Sequence, residues 1–74
     1  MNTDKALALA RKHLGGDMES SARLCLADAV SLNDKGEYHY AKKRALASLG
    51  YSVGIFHKDY QRVLKSIGEG IEEQ

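Results

Sequence analysis

The sequence predicts an all-α fold, and three observations lead to this prediction. Proline is absent from the 74 residues. Apolar residues recur at intervals of three and four, which is the period of a helix and not the alternation of a strand. Turn-forming sequences that contain glycine separate the periodic segments. We therefore expect a small helical bundle of antiparallel hairpins in one domain at residues 1–68, followed by a frayed acidic tail at residues 69–74.

The first helix is predicted over residues 4–14. Thr3 is a favourable N-cap, and the carboxylate of Asp4 suits the positive end of the helix dipole. Gly15 and Gly16 are expected to end the helix. The residues that share one face, and so form the expected buried stripe, are Leu7, Ala10 and Leu14.

The second helix is predicted to begin at Met18, with Asp17 as its N-cap, and to end in the turn at residues 33–36. Its apolar residues are spaced four and three apart, with two further residues widening the stripe. They are Met18, Ala22, Cys25, Ala29 and Leu32, with Leu26 and Val30 beside them. Leu24 lies off this stripe, so we expect it to be exposed and available for contact with a partner.

The third helical region begins near Glu37 and leaves two alternatives open. Two apolar stripes follow, the first made of Tyr38, Ala41, Ala45 and Leu49 and the second of Val53, Phe56, Tyr60, Val63, Ile67 and Ile71. On an ideal helix they stay in phase to within about 40°, which favours one long or kinked helix with Gly50 and Gly54 on its outer face. Each glycine, however, disfavours helix by about 1 kcal/mol, so a break between them and four short helices are the alternative.

The segment from Gly36 to Ala41 resembles part of a known family. Its pattern Gly36–Glu37–Tyr38–x–x–Ala41 is similar to the turn and second-helix start of a tetratricopeptide repeat. The resemblance covers residues 22–49 and implies a helical hairpin, with glycine in the turn, an aromatic plug and a small residue at the helix contact. The chain departs from the family's pattern at Cys25, Asp28 and Val53. The resemblance therefore does not imply the peptide binding of a repeat array.

The positive charge is concentrated in the second half of the chain. Residues 38–68 carry six basic residues against one acidic residue, although the whole chain has a formal charge of only +1. In a continuous third helix the cations would lie on one side, together with Tyr40. These basic-face residues are Lys43, Arg44, Lys58, Arg62 and Lys65. A solvated outer face is one interpretation of this pattern, and contact with the phosphates of a nucleic acid is the other.

The sequence gives no indication of catalysis, a cofactor or a metal. His13, His39 and His57 are far apart, and none has a second ligand three or four residues away, so we expect no metal site. Cys25 lies within an apolar stripe and is expected to be an inert core thiol. With one cysteine, no export signal and no apolar run of 18 residues, we expect a cytoplasmic protein with no membrane span.

These observations predict a small non-enzymatic protein-interaction or assembly module. A homodimer formed through the third helical region is the expected assembly, because a chain this short buries little apolar surface by itself. The residues that we expect to contact a partner are Leu24, Tyr40 and Tyr51. The alternative is a small nucleic-acid-binding accessory protein that uses the basic residues between positions 43 and 65.

Overall fold

A computed structural model describes residues 1–68, and these residues form four helices. The helices are α1 (Thr3–His13), α2 (Glu19–Asp34), α3 (Tyr38–Val53) and α4 (Lys58–Gly68). No strand occurs in this part of the chain. The all-α prediction is confirmed, in its form of four short helices. The predicted frayed tail at 69–74, and Ile71 of the predicted stripe, lie outside the described residues.

The third region is broken at Gly54, so the continuous helix that the sequence favoured is wrong. Gly54 has φ 89° and ψ 162°, a backbone conformation that is essentially restricted to glycine. Its N–H donates to the carbonyl of Gly50 at 3.1 Å and closes the last turn of α3. Residues 55–57 form a turn before α4 begins. The two apolar stripes have matching helical phases, but this match did not reveal the break. Helical phase shows which residues lie on the same side of a helix, and not whether the helix is continuous.

Helix α3 is central to the bundle, because it packs against each of the other three helices. The core between the helices is rich in small residues, which let the backbones approach closely. Its buried members are Ala6, Leu7, Ala10, Leu26, Ala29, Ala45, Leu49 and Val63. Half of these are alanines, so the core buries little apolar surface per residue.

Polar side chains tie the helices together at buried positions. Ser48 of α3 donates its hydroxyl to the carbonyl of Ala22 of α2 at 2.8 Å. The side chain of Lys42 is fully buried, and its ammonium donates to the carbonyl of Met1 at 2.7 Å. Buried polar groups are tolerated when they are hydrogen-bonded in this way. The N-terminus therefore packs against α3, to which it is hydrogen-bonded through Lys42.

Several local predictions need correction. The N-cap of α2 is Met18 and not Asp17, and Met18 is exposed, although it was predicted to lie on the buried stripe. The N-cap of α1 is Asn2 and not Thr3, because the Asn2 side chain accepts a hydrogen bond from the Lys5 amide at 2.9 Å. Phe56 was predicted to be in the core, yet 92% of it is exposed, because the helix that would have turned it inward ends at Val53. Gly50 does not face outward: a Cβ atom there would lie 3.2 Å from the ring of Tyr60, so glycine permits close packing of α4 on α3.

Candidate functional site

An exposed apolar surface surrounds the turn between α3 and α4. We call Tyr51, Ile55 and Phe56 the apolar turn surface; all three are exposed, and Phe56 is the single phenylalanine of the chain. Beside it is a shallow cavity of about 330 Å³. The cavity is lined by Ala47, Gly50, Tyr51, Ile55 and Tyr60. An apolar surface of this kind is typical of protein contact sites.

Hydrogen bonds hold the turn in the conformation that exposes these side chains. The amide of His57 donates to the carbonyl of Gly54 at 3.4 Å, and the amide of Gln61 donates to the carbonyl of His57 at 3.0 Å. The side-chain amide of Gln61 also donates to the carbonyl of Ile55 at 2.5 Å. Because the backbone on both sides is fixed, Ile55 and Phe56 are presented outward by a defined turn.

The predicted contact residues lie on different parts of the molecule. Tyr51 borders the cavity of the apolar turn surface. Leu24 lies on α2 and is 73% exposed, and Tyr40 lies at the exposed start of α3. The Tyr40 ring meets the His39 ring edge-on, with centroids 5.5 Å apart, and the Lys43 ammonium lies 6.0 Å from its centroid. Their role in partner contact stays a prediction, and only Tyr51 belongs to the turn surface.

The predicted basic residues fall into two groups that border different helices. Lys43 and Arg44 line a cavity with residues of α2, and the Arg44 guanidinium is 3.3 Å from the carboxylate of Asp28. Arg62 and Lys65 instead line a groove with Met1 and Lys5. Lys58 is exposed at the start of α4. The continuous helix that would have aligned all five cations does not exist, and Arg44 is engaged with an acidic partner.

The fold brings together two histidines and an aspartate that are distant in the sequence. Nε2 of His13, at the end of α1, lies 2.7 Å from Oδ2 of Asp59, near the start of α4. The rings of His13 and His57 meet edge-on, with centroids 4.9 Å apart. The amide of Asp59 donates to Nδ1 of His57 at 3.0 Å. The prediction of no metal site was based on the separation of the histidines along the chain. The fold nevertheless places His13 and His57 next to each other.

Asp59 is the buried anion of this cluster. The hydrogen bond with His13 lowers the pKa of the Asp59 carboxyl below its ordinary value; burial opposes the shift, and a hydrogen bond from Arg62 at 3.2 Å adds to it. Asp59 is consequently ionised at neutral pH. Only the His57–x–Asp59 spacing was visible in the sequence, because the contact with His13 depends on how α4 folds back after Gly54.

Comparison with known proteins gives no further guide to the site: no protein-family model, no curated protein and no solved structure matches the chain. The resemblance to a tetratricopeptide repeat concerns the α2–α3 hairpin, which does have Gly36 in its turn, at φ 80°. Within residues 1–68, none of the helices combines the length and the apolar character needed to cross a bilayer.

Proposed function

We propose that the chain is a non-enzymatic interaction module that assembles with a second copy of itself through the apolar turn surface. The observation that carries this proposal is the exposure of Phe56, which is 92% accessible while much of the core is alanine. Aromatic side chains bury a large apolar area and contribute strongly to the energy of protein interfaces. A chain that leaves its one phenylalanine outside has apolar surface available for association.

A second copy suits this surface for two reasons. The domain is small and its core is poor in large side chains, so association supplies buried area that one copy lacks. The surface also carries an exposed ring, Phe56, which follows Ile55 in the chain, and Ile55 lines a shallow cavity with Gly50 and Tyr60. Two-fold symmetry requires a self-complementary patch, in which the ring of each copy enters the cavity of the other. This arrangement keeps the assembly within the third helical region, as the sequence predicted, although not through a continuous helix.

Sedimentation equilibrium of variants tests this proposal. Phe56→Ser should weaken the dimer more than about 30-fold, the effect of losing an aromatic contact worth about 2 kcal/mol. Leu24→Ser is the matched control, because it removes an apolar side chain that is also highly exposed but lies on α2. It also separates the apolar turn surface from the partner contact at Leu24 that the sequence predicted. We expect the control to leave the dissociation constant unchanged. A chain that is monomeric at all concentrations, or a Phe56→Ser variant that dimerises like the wild type, would contradict the proposal.

A second candidate function, nucleic-acid binding, is favoured by one observation. Lys5, Arg62 and Lys65 line the same groove, although they come from opposite ends of the described chain. Three cations around one groove suit the phosphates of a nucleic-acid strand. The contact of Arg62 with Asp59 reduces this attraction, so we rank this function second. We place either function in the cytoplasm, because the chain has a single cysteine.

Fluorescence anisotropy of a labelled single-stranded oligonucleotide distinguishes the second candidate. If the groove binds phosphates, affinity falls steeply with salt, and Lys65→Ala lowers the slope of log K against log salt by about 1. Lys35→Ala, in the exposed turn after α2, is the control and should leave the slope unchanged. Absence of binding at low salt, or equal effects of the two variants, would exclude the groove as a nucleic-acid site.

A further inference from the structure

We propose that His13, His57 and Asp59 bind one divalent transition-metal ion, of which Zn²⁺ is the leading candidate. One ligand atom from each of these three residues lies within 4.8 Å of the other two. Imidazole nitrogen and carboxylate oxygen form the ligand set of many protein sites for zinc and neighbouring metals, with water at the remaining position. This inference does not depend on the proposed self-assembly.

The three ligand atoms are close enough to reach one ion after their side chains adjust. Zinc binds nitrogen and oxygen ligands at about 2.0–2.2 Å, which places two ligands of a tetrahedral site about 3.3 Å apart. His13 Nε2 and Asp59 Oδ2 are now 2.7 Å apart and need to separate only slightly. The ligand atom of His57 lies within 4.8 Å of the other two, so it has to approach them by up to about 1.5 Å. Rotation of the side chains can provide this movement while the hydrogen-bonded backbone of the turn stays in place.

The protons of the cluster can also be accounted for. An ionised carboxylate only accepts hydrogen bonds, so Nε2 of His13 is the donor to Asp59. Metal binding replaces this hydrogen bond with two metal–ligand bonds and displaces the proton from Nε2 of His13. Nδ1 of His57 is unprotonated, because it accepts from the Asp59 amide, and a metal bound at Nδ1 replaces that hydrogen bond. Asp59 is ionised and has no proton to lose.

The surroundings of Asp59 resemble those of a metal-binding carboxylate. Its Oδ1 accepts from the Arg62 guanidinium at 3.2 Å, while Oδ2 faces His13. Carboxylates that bind metals are commonly held by such an additional hydrogen bond, which fixes their orientation. Arg62 is more than half exposed, so its charge is partly screened by solvent. Asp59 itself is buried, which keeps the carboxylate in place.

A metal here would join two helices that share little direct packing. Helices α1 and α4 each pack extensively on α3, whereas the contact between them is slight. Small domains without disulfides commonly use a metal to supplement a limited core. In this fold the metal would fasten the end of α1 to the start of α4 and would hold the turn that carries Phe56.

Zn²⁺ titration of the chelator-treated chain tests the site. We expect one ion to bind per chain and the melting temperature to rise by more than about 5 °C at saturation. Mg²⁺ should produce no shift, because it prefers an all-oxygen site. Co²⁺ in place of Zn²⁺ should give the visible absorption of a low-symmetry, four-coordinate ion. This spectrum is read on the wild-type chain and does not depend on any variant folding.

Variants assign the ligands. His13→Ala, His57→Ala and Asp59→Asn should each weaken Zn²⁺ binding at least about 100-fold, since even the loss of an outer hydrogen-bond partner costs about 10–100-fold. The third histidine provides the control: His39 is exposed at the start of α3, and His39→Ala should bind like the wild type. Failure of the wild-type chain to bind Zn²⁺ stoichiometrically would overturn the proposal. Equal weakening by His39→Ala and His13→Ala would overturn it as well.

Discussion

Lys42 shows how the surroundings of a residue, more than its type, determine its role. It belongs to a run of three cations at positions 42–44, yet its side chain is fully buried while Lys43 and Arg44 are exposed. The four-carbon stem packs as an apolar chain, and the ammonium is hydrogen-bonded to the carbonyl of Met1. Lys42 is thus a structural residue within a sequence that has the appearance of a basic patch.

Replacing Lys42 with alanine should destabilise the fold. We expect Lys42→Ala to lower the free energy of unfolding by about 2–4 kcal/mol, because it leaves a cavity and removes the hydrogen bond to Met1. Lys43→Ala, at the next position, should change it by less than about 0.5 kcal/mol. Urea denaturation followed by circular dichroism measures both. Equal free energies for the two variants would show that burial of Lys42 has no energetic consequence.

Helical phase separates Lys42 from its neighbour Lys43 but does not predict that Lys42 is fully buried. Position 42 is one turn after Tyr38, at the edge of the predicted buried stripe, where a lysine commonly extends its ammonium into solvent. Its burial results from the N-terminal residues, whose path over α3 is a tertiary feature. The His13–Asp59 contact is similar, because 46 residues separate its members. The sequence shows which residues occupy these positions, but the surroundings of Lys42 and of the His13–Asp59 pair depend on how distant helices pack.

At the scale of the elements, the break at Gly54 determines the shape of the second half. The conformation of Gly54 allows the chain to leave α3 and start α4 within four residues. Close packing of Tyr60 on Gly50 then places α4 against α3. One glycine provides the backbone conformation and the other provides the space, so the two have different physical roles.

Gly54→Ala should cost about 1–3 kcal/mol of stability, because a Cβ atom is strained at this φ and ψ. Gly68→Ala is the control: this glycine ends α4, has no neighbouring atom within 4 Å of an added Cβ, and should change stability by less than about 0.5 kcal/mol. Thermal unfolding of the two variants gives the comparison. A Gly54→Ala variant as stable as the wild type would indicate that the helix can continue through this position.

Helix positions were predictable from the sequence, whereas the break was not. Helices α1 and α2 begin and end within about one residue of the predicted positions, and α3 begins there too, because caps and turn residues act locally. The buried alanines of α3 were found from their spacing as well. The predicted burial of Phe56 was wrong, because it assumed a continuous helix and α3 ends at Val53. Local sequence signals therefore predicted the helices, whereas the candidate sites depend on how the chain packs after Gly54.

At the scale of the molecule, the two candidate sites lie close together. The apolar turn surface and the histidine–aspartate cluster share the segment between α3 and α4, with Phe56 and His57 adjacent in the chain. The cations of the predicted basic face are divided between two regions, which favours association through apolar contact over binding to a nucleic acid. We therefore propose self-assembly through the apolar turn surface as the main function of the chain.

Light scattering of the wild-type chain across a dilution series, at low and at high salt, tests this claim most directly. We predict the molar mass of two copies at high concentration, with dissociation on dilution and no weakening as salt rises, because apolar burial is not screened by ions. A mass of one chain, 8.1 kDa, at every concentration would contradict the claim. A dimer that dissociates when salt is added would also contradict it, since charges and not the apolar turn surface would then hold the copies together.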